Sequence, residues 1–262
     1  MSTAHTPAAE PSRLRLSVVL IVHNAADSLA ACLASVAFAD DLVVVDSGST
    51  DATVAIAQTH GARVIHRTWL GFGPQKQFAI EQALHDWVLC IDADEQVSPE
   101  LANAIQRALI APHTCVFRMA RCNRFLGRWL RHGEGYPDWS PRLFDRRAAR
   151  WSDDAVHEKV LYNTVPETLA GDLLHASGES LARYLDKQNR YSSLAAGQLY
   201  AQGKRVRWPR LLLSPLTRFF KFYFFRGGFL DGLPGFVHTS IGCMNSYLKY
   251  AKLIELQRNE KS

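Results

Sequence analysis

The sequence lacks any run of roughly 20 apolar residues free of charge, so no segment reads as a helix crossing a bilayer. It also lacks closely spaced cysteine pairs: Cys32, Cys90, Cys115, Cys122 and Cys243 are scattered and odd in number. That spacing excludes the usual zinc and CxxC redox motifs and fits a reducing cytoplasm. Glycine is missing from the first strand-to-helix turn, Val22-His23-Asn24-Ala25-Ala26. A dinucleotide-binding fold needs glycine there for the pyrophosphate to approach, so a Rossmann oxidoreductase is disfavoured. No internal repeat is apparent, which argues against a solenoid. Finally, Lys187 to Leu230 contains no Asp or Glu but nine Lys or Arg. These nine exceed the net charge of +5, leaving about −4 on the rest of the chain, so the basic character belongs to the C-terminal part.

What is present is enough for a substantial core. A chain of 262 residues with 47% hydrophobic content accommodates one large α/β domain or a domain with an appendage. Residues 1–13, rich in Ala, Pro, Ser and Thr, have no apolar centre and read as a disordered leader rather than a secretory signal. Residues 14–180 read as the main domain, and 181–262 as a helical extension.

Leu16 to Val22 is an apolar, β-branched run of strand length. Asn24 or Asp27 is then positioned to cap a helix with Leu29, Cys32, Leu33 and Val36 on one face. Leu42 to Val45 repeats the strand pattern, Ser49 or Thr50 caps the next helix, and Gly61 closes it. Arg63 to His66 is a third strand, Gln75 to His85 a helix after a Gly71-Phe72-Gly73-Pro74 turn, and Trp87 to Ile91 a fourth strand. Ser98-Pro99 opens another helix. Strands alternating with helices imply a mostly parallel sheet with helices on both faces.

Two acidic stretches follow these strands, Asp46-Ser47-Gly48-Ser49-Thr50-Asp51 and Asp92-Ala93-Asp94-Glu95. Both fall at the carboxyl ends of buried strands, where α/β sheets bind ligands. Asp92 and Asp94 offer hard oxygen ligands suited to Mg²⁺ or Mn²⁺. The bland alternative is a solvated turn with Glu95 and Glu100 at a helix start. Asp46 is placed to accept from a base imide or a ribose hydroxyl. Asp51 reads as structural, beside the next helix's dipole.

Together the first strand with Asn24, the Asp46–Asp51 turn and the Asp92–Glu95 motif resemble the family-2 glycosyltransferases of GT-A, Rossmann-like fold. Gly71-Phe72-Gly73-Pro74-Gln75-Lys76-Gln77, Tyr136-Pro137-Asp138, Arg142-Leu143-Phe144, Val156-His157-Glu158 and Gly228-Phe229-Leu230-Asp231-Gly232 further resemble bacterial lipopolysaccharide core glycosyltransferases that add β-linked glucose. The family usually has Thr or Tyr before the first-strand Asn, where this chain has His23.

The resemblance implies an inverting, metal-dependent transfer of a hexose, glucose first, from a UDP-sugar to the lipopolysaccharide inner core at the cytoplasmic membrane face. It implies Asp46 at the nucleotide base, with Asn24 and Gly48 beside it. Asp92 would sit on ribose or metal, and Asp94 on the metal. Lys76 would add charge near the donor or lie solvated on its helix. The catalytic base falls to Glu158, with Asp138 as runner-up, and His157 would complete the metal shell or orient Glu158. Arg142 and Lys159 would bind phosphate or form surface ion pairs. Two rivals remain: a polyprenyl-phosphate glycosyltransferase, and a non-catalytic, membrane-docking nucleotide-binding module.

The extension carries Arg218-Phe219-Phe220-Lys221-Phe222-Tyr223-Phe224-Phe225-Arg226. This reads either as an in-plane helix on an anionic membrane surface or as a helix whose Phe face covers the domain. Gly227-Gly228 and Pro234 are expected to break it. No nucleic-acid module is recognisable.

Overall fold

The structure is a computed structural model describing residues 13–154, 158–178 and 180–259. The chain falls into two compact units. The first comprises the residues up to Ala120 and Trp139–Leu174, and the second comprises Arg121–Asp138 and His175 onward.

In the first unit, β1 (Leu16–Val22), β2 (Asp41–Asp46), β3 (Arg63–His66) and β4 (Trp87–Cys90) form a parallel set in the order β3-β2-β1-β4. β8 (Asp138–Asp145) then pairs with β4 antiparallel. Beyond it the sheet continues through β6 (Val116–Phe125), β11 (Glu167–His175) and β5 (Glu95–Val97). The sheet is therefore mixed rather than mostly parallel. The parallel half follows from the helical crossovers, whereas the later strands are joined without them.

Alternation along the strands divides the core between two faces. Leu16, Val18, Leu20 and Val22 point to one side. There they pack with Leu29 and Leu33 of α1 (Ala26–Ser35) and Leu101 and Ile105 of α4 (Pro99–Ala108). Val19, Val43, Val45 and Val88 point to the other, against Ala79 and Ile80 of α3 (Phe72–Glu81). Helices cover both faces, as expected.

Local signals worked unevenly. Ser98 caps α4, its hydroxyl accepting from the Leu101 amide with Pro99 in the first turn, and Gly61 has the left-handed φ of 76°. The other expected caps are wrong. α1 starts after Ala25, and α2 (Thr53–Thr59) starts after Ala52, neither with a side-chain cap. The side chains expected there are used between turns instead. α3 begins at Phe72, three residues early, because Pro74 sits in its first turn, where no amide is needed.

The second unit is helical apart from short strand segments. It contains α5 (Leu181–Ala201), α6 (Pro209–Phe219), a wide helical turn at Phe220–Phe225, a 3-10 turn at Gly228–Asp231 and α7 (Gly232–Asn259). Gly227 breaks the helix with φ 69°. Pro234 does not, since it lies in the first turn of α7. Buried Asp231 accepts from the Arg131 and His132 amides and contacts His132 Nδ1 at 3.0 Å, tying the late glycine-rich motif to this unit. Among the described residues, no helix is long and apolar enough to cross a membrane.

Candidate functional site

Strands β2, β1 and β4 run side by side, with Val22 opposite Asp46 and Val19 opposite Cys90. The two acidic turns therefore leave the same edge of the sheet about 10 Å apart, two strand spacings.

At the β2 end, Asp46 is buried and accepts from the Gly48 amide at 3.0 Å and from the Ser49 amide and hydroxyl. Burial works against its charge, but the bonds from Ser49 and Gly48 outweigh it and hold the carboxyl below the usual range. Gly48, at φ 93°, provides the turn that aims these amides. Asn24 also has a positive φ, 50°. Its Oδ1 accepts from the Thr50 amide at 2.8 Å, and its own amide donates to Ser49 Oγ. Asp51 accepts from the Ala26 and Thr53 amides, a structural role as expected. These bonds lock the two turns together, so Asn24, Asp46 and Gly48 form one preorganised rim.

At the β4 end, the carboxylate of Asp92 lies between two cations. Lys76 Nζ is 3.0 Å from Oδ1, and Arg142 Nη2 is 2.9 Å from Oδ2. Burial disfavours the Asp92 charge, yet Arg142 and then Lys76 more than compensate and hold its pKa well below the ordinary value. Lys76 also reaches Glu158 Oε1 at 2.9 Å. Its ammonium is 4.8 Å from the Trp151 ring centre, and that indole donates to Cys90 Sγ. The solvated alternative for Lys76 is therefore incorrect, because this side chain is only 8% exposed. Arg142 is likewise buried rather than a surface partner, and it pairs with Glu95 at 3.0 Å. Glu95, read as a helix-start carboxylate, is fully buried and also accepts the Asp92 amide.

The structure thus brings together Lys76, Asp92 and Glu158, with half-buried Asp94 two residues beyond Asp92. His157 lies outside the described residues. Asp138 belongs to the second unit, where Arg121 binds it at 2.8 Å. Three residues were missed: Glu95, Trp151 and Gln75. Gln75 is fully buried and donates to Ser47 Oγ at 3.1 Å and to the Arg67 carbonyl, joining α3 to the Asp46 turn. Its position beside Lys76 in the Gly71–Gln77 motif was the available signal.

Two carboxylates flanking Ala93 fit a hard divalent cation of the Mg²⁺ type, which takes one or two protein carboxylates and completes its shell with water and substrate phosphates. A closed protein cage is not required. Among the described residues no cluster of three Asp, Glu, His or Cys forms one.

Residues 17–165 match the family described as Glycosyl transferase family 2. The chain belongs to that family. This glycosyltransferase is 34% identical to an uncharacterized glycosyltransferase of Rickettsia felis, over 92% of its own length and 90% of the relative's. It is 32% identical to the lipopolysaccharide core biosynthesis glycosyltransferase LpsC of Rhizobium meliloti, with 93% of each chain covered. Among solved structures, mannosyl-3-phosphoglycerate synthase from Rubrobacter xylanophilus is similar at 19% identity and a TM-score of 0.48, over 75% of this chain and 78% of that one.

Proposed function

We propose that this family-2 glycosyltransferase is inverting and moves a hexose, glucose in the first instance, from a UDP-sugar to a lipopolysaccharide core acceptor at the cytoplasmic face of the membrane. The observation that carries the reading is the cluster in which Lys76 joins Asp92, at a strand end, to Glu158. It combines a nucleotide-sugar subsite with a carboxylate able to serve an acceptor. The similarity to LpsC over nearly the whole chain supports the choice of acceptor.

In this reading the rim of Asn24, Asp46 and Gly48 receives the nucleotide, and Asp92 receives the ribose. Asp94, with Asp92, would hold Mg²⁺ or Mn²⁺. When bound, such an ion offsets the negative charge of the donor diphosphate. Asp92 keeps its charge through two cations, Lys76 and Arg142. Glu158 takes the proton of the acceptor hydroxyl as its oxygen forms a bond to the anomeric carbon. The bond to the diphosphate breaks on the opposite face, and its electron pair leaves with UDP. The positive charge of Lys76 stands beside both carboxylates and favours the diphosphate as charge develops on it.

The test is titration of UDP-glucose into wild type and Asp94→Ala with and without Mn²⁺, followed by transfer to truncated core acceptors. Metal-dependent binding that is lost in the folded variant, together with turnover, is the expected result. Near-normal transfer by folded Asp94→Ala would remove the metal role, and preference for an ADP-heptose donor would overturn the uridine assignment.

A further inference from the structure

The second unit carries a feature that the transfer chemistry does not use. A cleft of about 630 Å³ is lined by Lys204, Arg205, Arg207 and Arg210 over an apolar floor that includes Leu199 and Leu253, and among the described residues no acidic one lines it. The connector forming it is held in place. The Val206 amide donates to Gln257 Oε1 at 2.8 Å, and Gln257 Nε2 returns a bond to the Val206 carbonyl at 3.1 Å. Two of the guanidinium groups are steadied by rings, Arg205 at 4.8 Å from the centre of Tyr200 and Arg210 at 5.5 Å from that of Tyr250.

Beside the cleft runs an apolar ridge. Trp208, Leu212, Leu216, Phe220 and Phe224 recur every four residues, the spacing of a helix ridge, and each is more than half exposed. Leu213 belongs to both features: it lines the cleft and is itself exposed. An exposed apolar row of this length marks a surface that meets a partner or a membrane.

We infer that this cleft and ridge together bind an anionic phospholipid in the bilayer surface, its phosphate among the four cations and its acyl region against the ridge. The geometry is that of an in-plane amphipathic helix with a headgroup site at its start. A soluble phosphate has no use for the ridge. A second copy of the chain fits poorly, because self-pairing across a two-fold axis would set one cationic surface against its twin, and residues 187–230 hold nine positives and no acid. The inference rests on the membrane-face reading above only for its purpose, since lipid binding is measured without turnover.

The experiment is sedimentation of the full chain with vesicles of phosphatidylcholine alone or mixed with phosphatidylglycerol. Wild type is expected to pellet with the anionic vesicles at least about tenfold more strongly than with the neutral ones. The double variant Arg207→Glu/Arg210→Glu is expected to lose about tenfold or more of that binding, and the Lys pair at the same positions to restore most of it. Leu212→Ser/Leu216→Ser, two exposed changes, should also weaken it while circular dichroism stays native. UDP-glucose affinity without vesicles should be unchanged in all of these, so a failed donor assignment leaves the lipid result standing. Equal binding to both vesicle types, or no loss in either double variant, overturns the inference. So does competition by micromolar glycerol 3-phosphate, or a dimer broken by Leu212→Ser/Leu216→Ser in a protein that ignores vesicles.

Discussion

Lys76 Nζ lies 2.9 Å from Glu158, a residue 82 positions later in the chain. The same ammonium lies 3.0 Å from Asp92, so one cation sets the distance between the strand-end motif and the proposed base. Removing it would take this cation from Glu158 and leave Asp92 with Arg142 as its remaining counter-charge here. Lys76→Met is expected to cost about 3 kcal/mol of stability, the scale for breaking a buried ion pair, and about a hundredfold in transfer. Chemical denaturation and a transfer assay on the same preparation check both. A stable variant with normal turnover would reduce Lys76 to a packing residue.

Gly73 controls the same relationship from the backbone. A Cβ at this position would lie 2.2 Å from the Ser152 carbonyl oxygen and 2.6 Å from that of Asp154, and the Gly73 amide donates to Asp154 at 3.1 Å. Backbone cannot yield as a side-chain tip can, so Gly73→Ala must push away the segment that leads into Glu158. The expected cost is about 1–3 kcal/mol, and a shift of about 1 Å at the base lowers transfer about a hundredfold. Gly197→Ala provides the contrast. Nothing lies within 4 Å of the added methyl, and the site is inside α5, so it should be neutral or stabilising. Thermal melts of the two variants side by side separate contact from general helix effects.

The strand ends were readable because β1, β2 and β4 are short, largely apolar runs that each stop at a carboxylate or a turn. The carboxylates at Asp46, Asp92 and Asp94 were the basis for expecting a nucleotide sugar. Their partners were not readable, because pairing is decided by topology. Arg142 meets Asp92 from 50 residues away only because β8 packs antiparallel on β4. The Arg142-Leu143-Phe144 motif drew notice to this arginine, but not to Asp92 and Glu95 as its partners. The caps failed for a related reason. Asn24, Ser49 and Thr50 are all capable cap residues, but each found a longer-range partner in the opposite turn.

Stability should fall in acid through the same carboxylates. The folded-state pKa of Asp46 lies below its ordinary value, with the bonds from Ser49 and Gly48 outweighing burial, and that of Asp92 is lower still under Arg142 and Lys76. Each binds a proton less readily folded than unfolded, so protonation favours unfolding. Their contribution is complete above the unfolded value of about 3.9 and is lost as pH falls through the folded values. Urea unfolding should therefore give a nearly constant free energy from pH 7 to about 5 from these groups and a decline below about pH 4. Asp46→Asn should start less stable and decline less steeply. An equal acid slope in both would show that Asp46 contributes none of it.

Glu158→Gln is the sharpest test of the chemistry because the change is nearly isosteric. The amide oxygen can still accept from Lys76 Nζ, so the 2.9 Å contact and the fold should persist. What disappears is the capacity to take a proton. Donor affinity is expected to stay within about twofold of wild type while transfer falls about 10²- to 10⁴-fold, the range for a general base. Calorimetric titration of UDP-glucose and a single-turnover assay separate the two quantities. Asp138→Asn is the matched comparison, since Asp138 is also paired, to Arg121 at 2.8 Å. If Glu158→Gln retains turnover and Asp138→Asn abolishes it, the base is Asp138, and Lys76–Glu158 is a scaffold that positions Asp92.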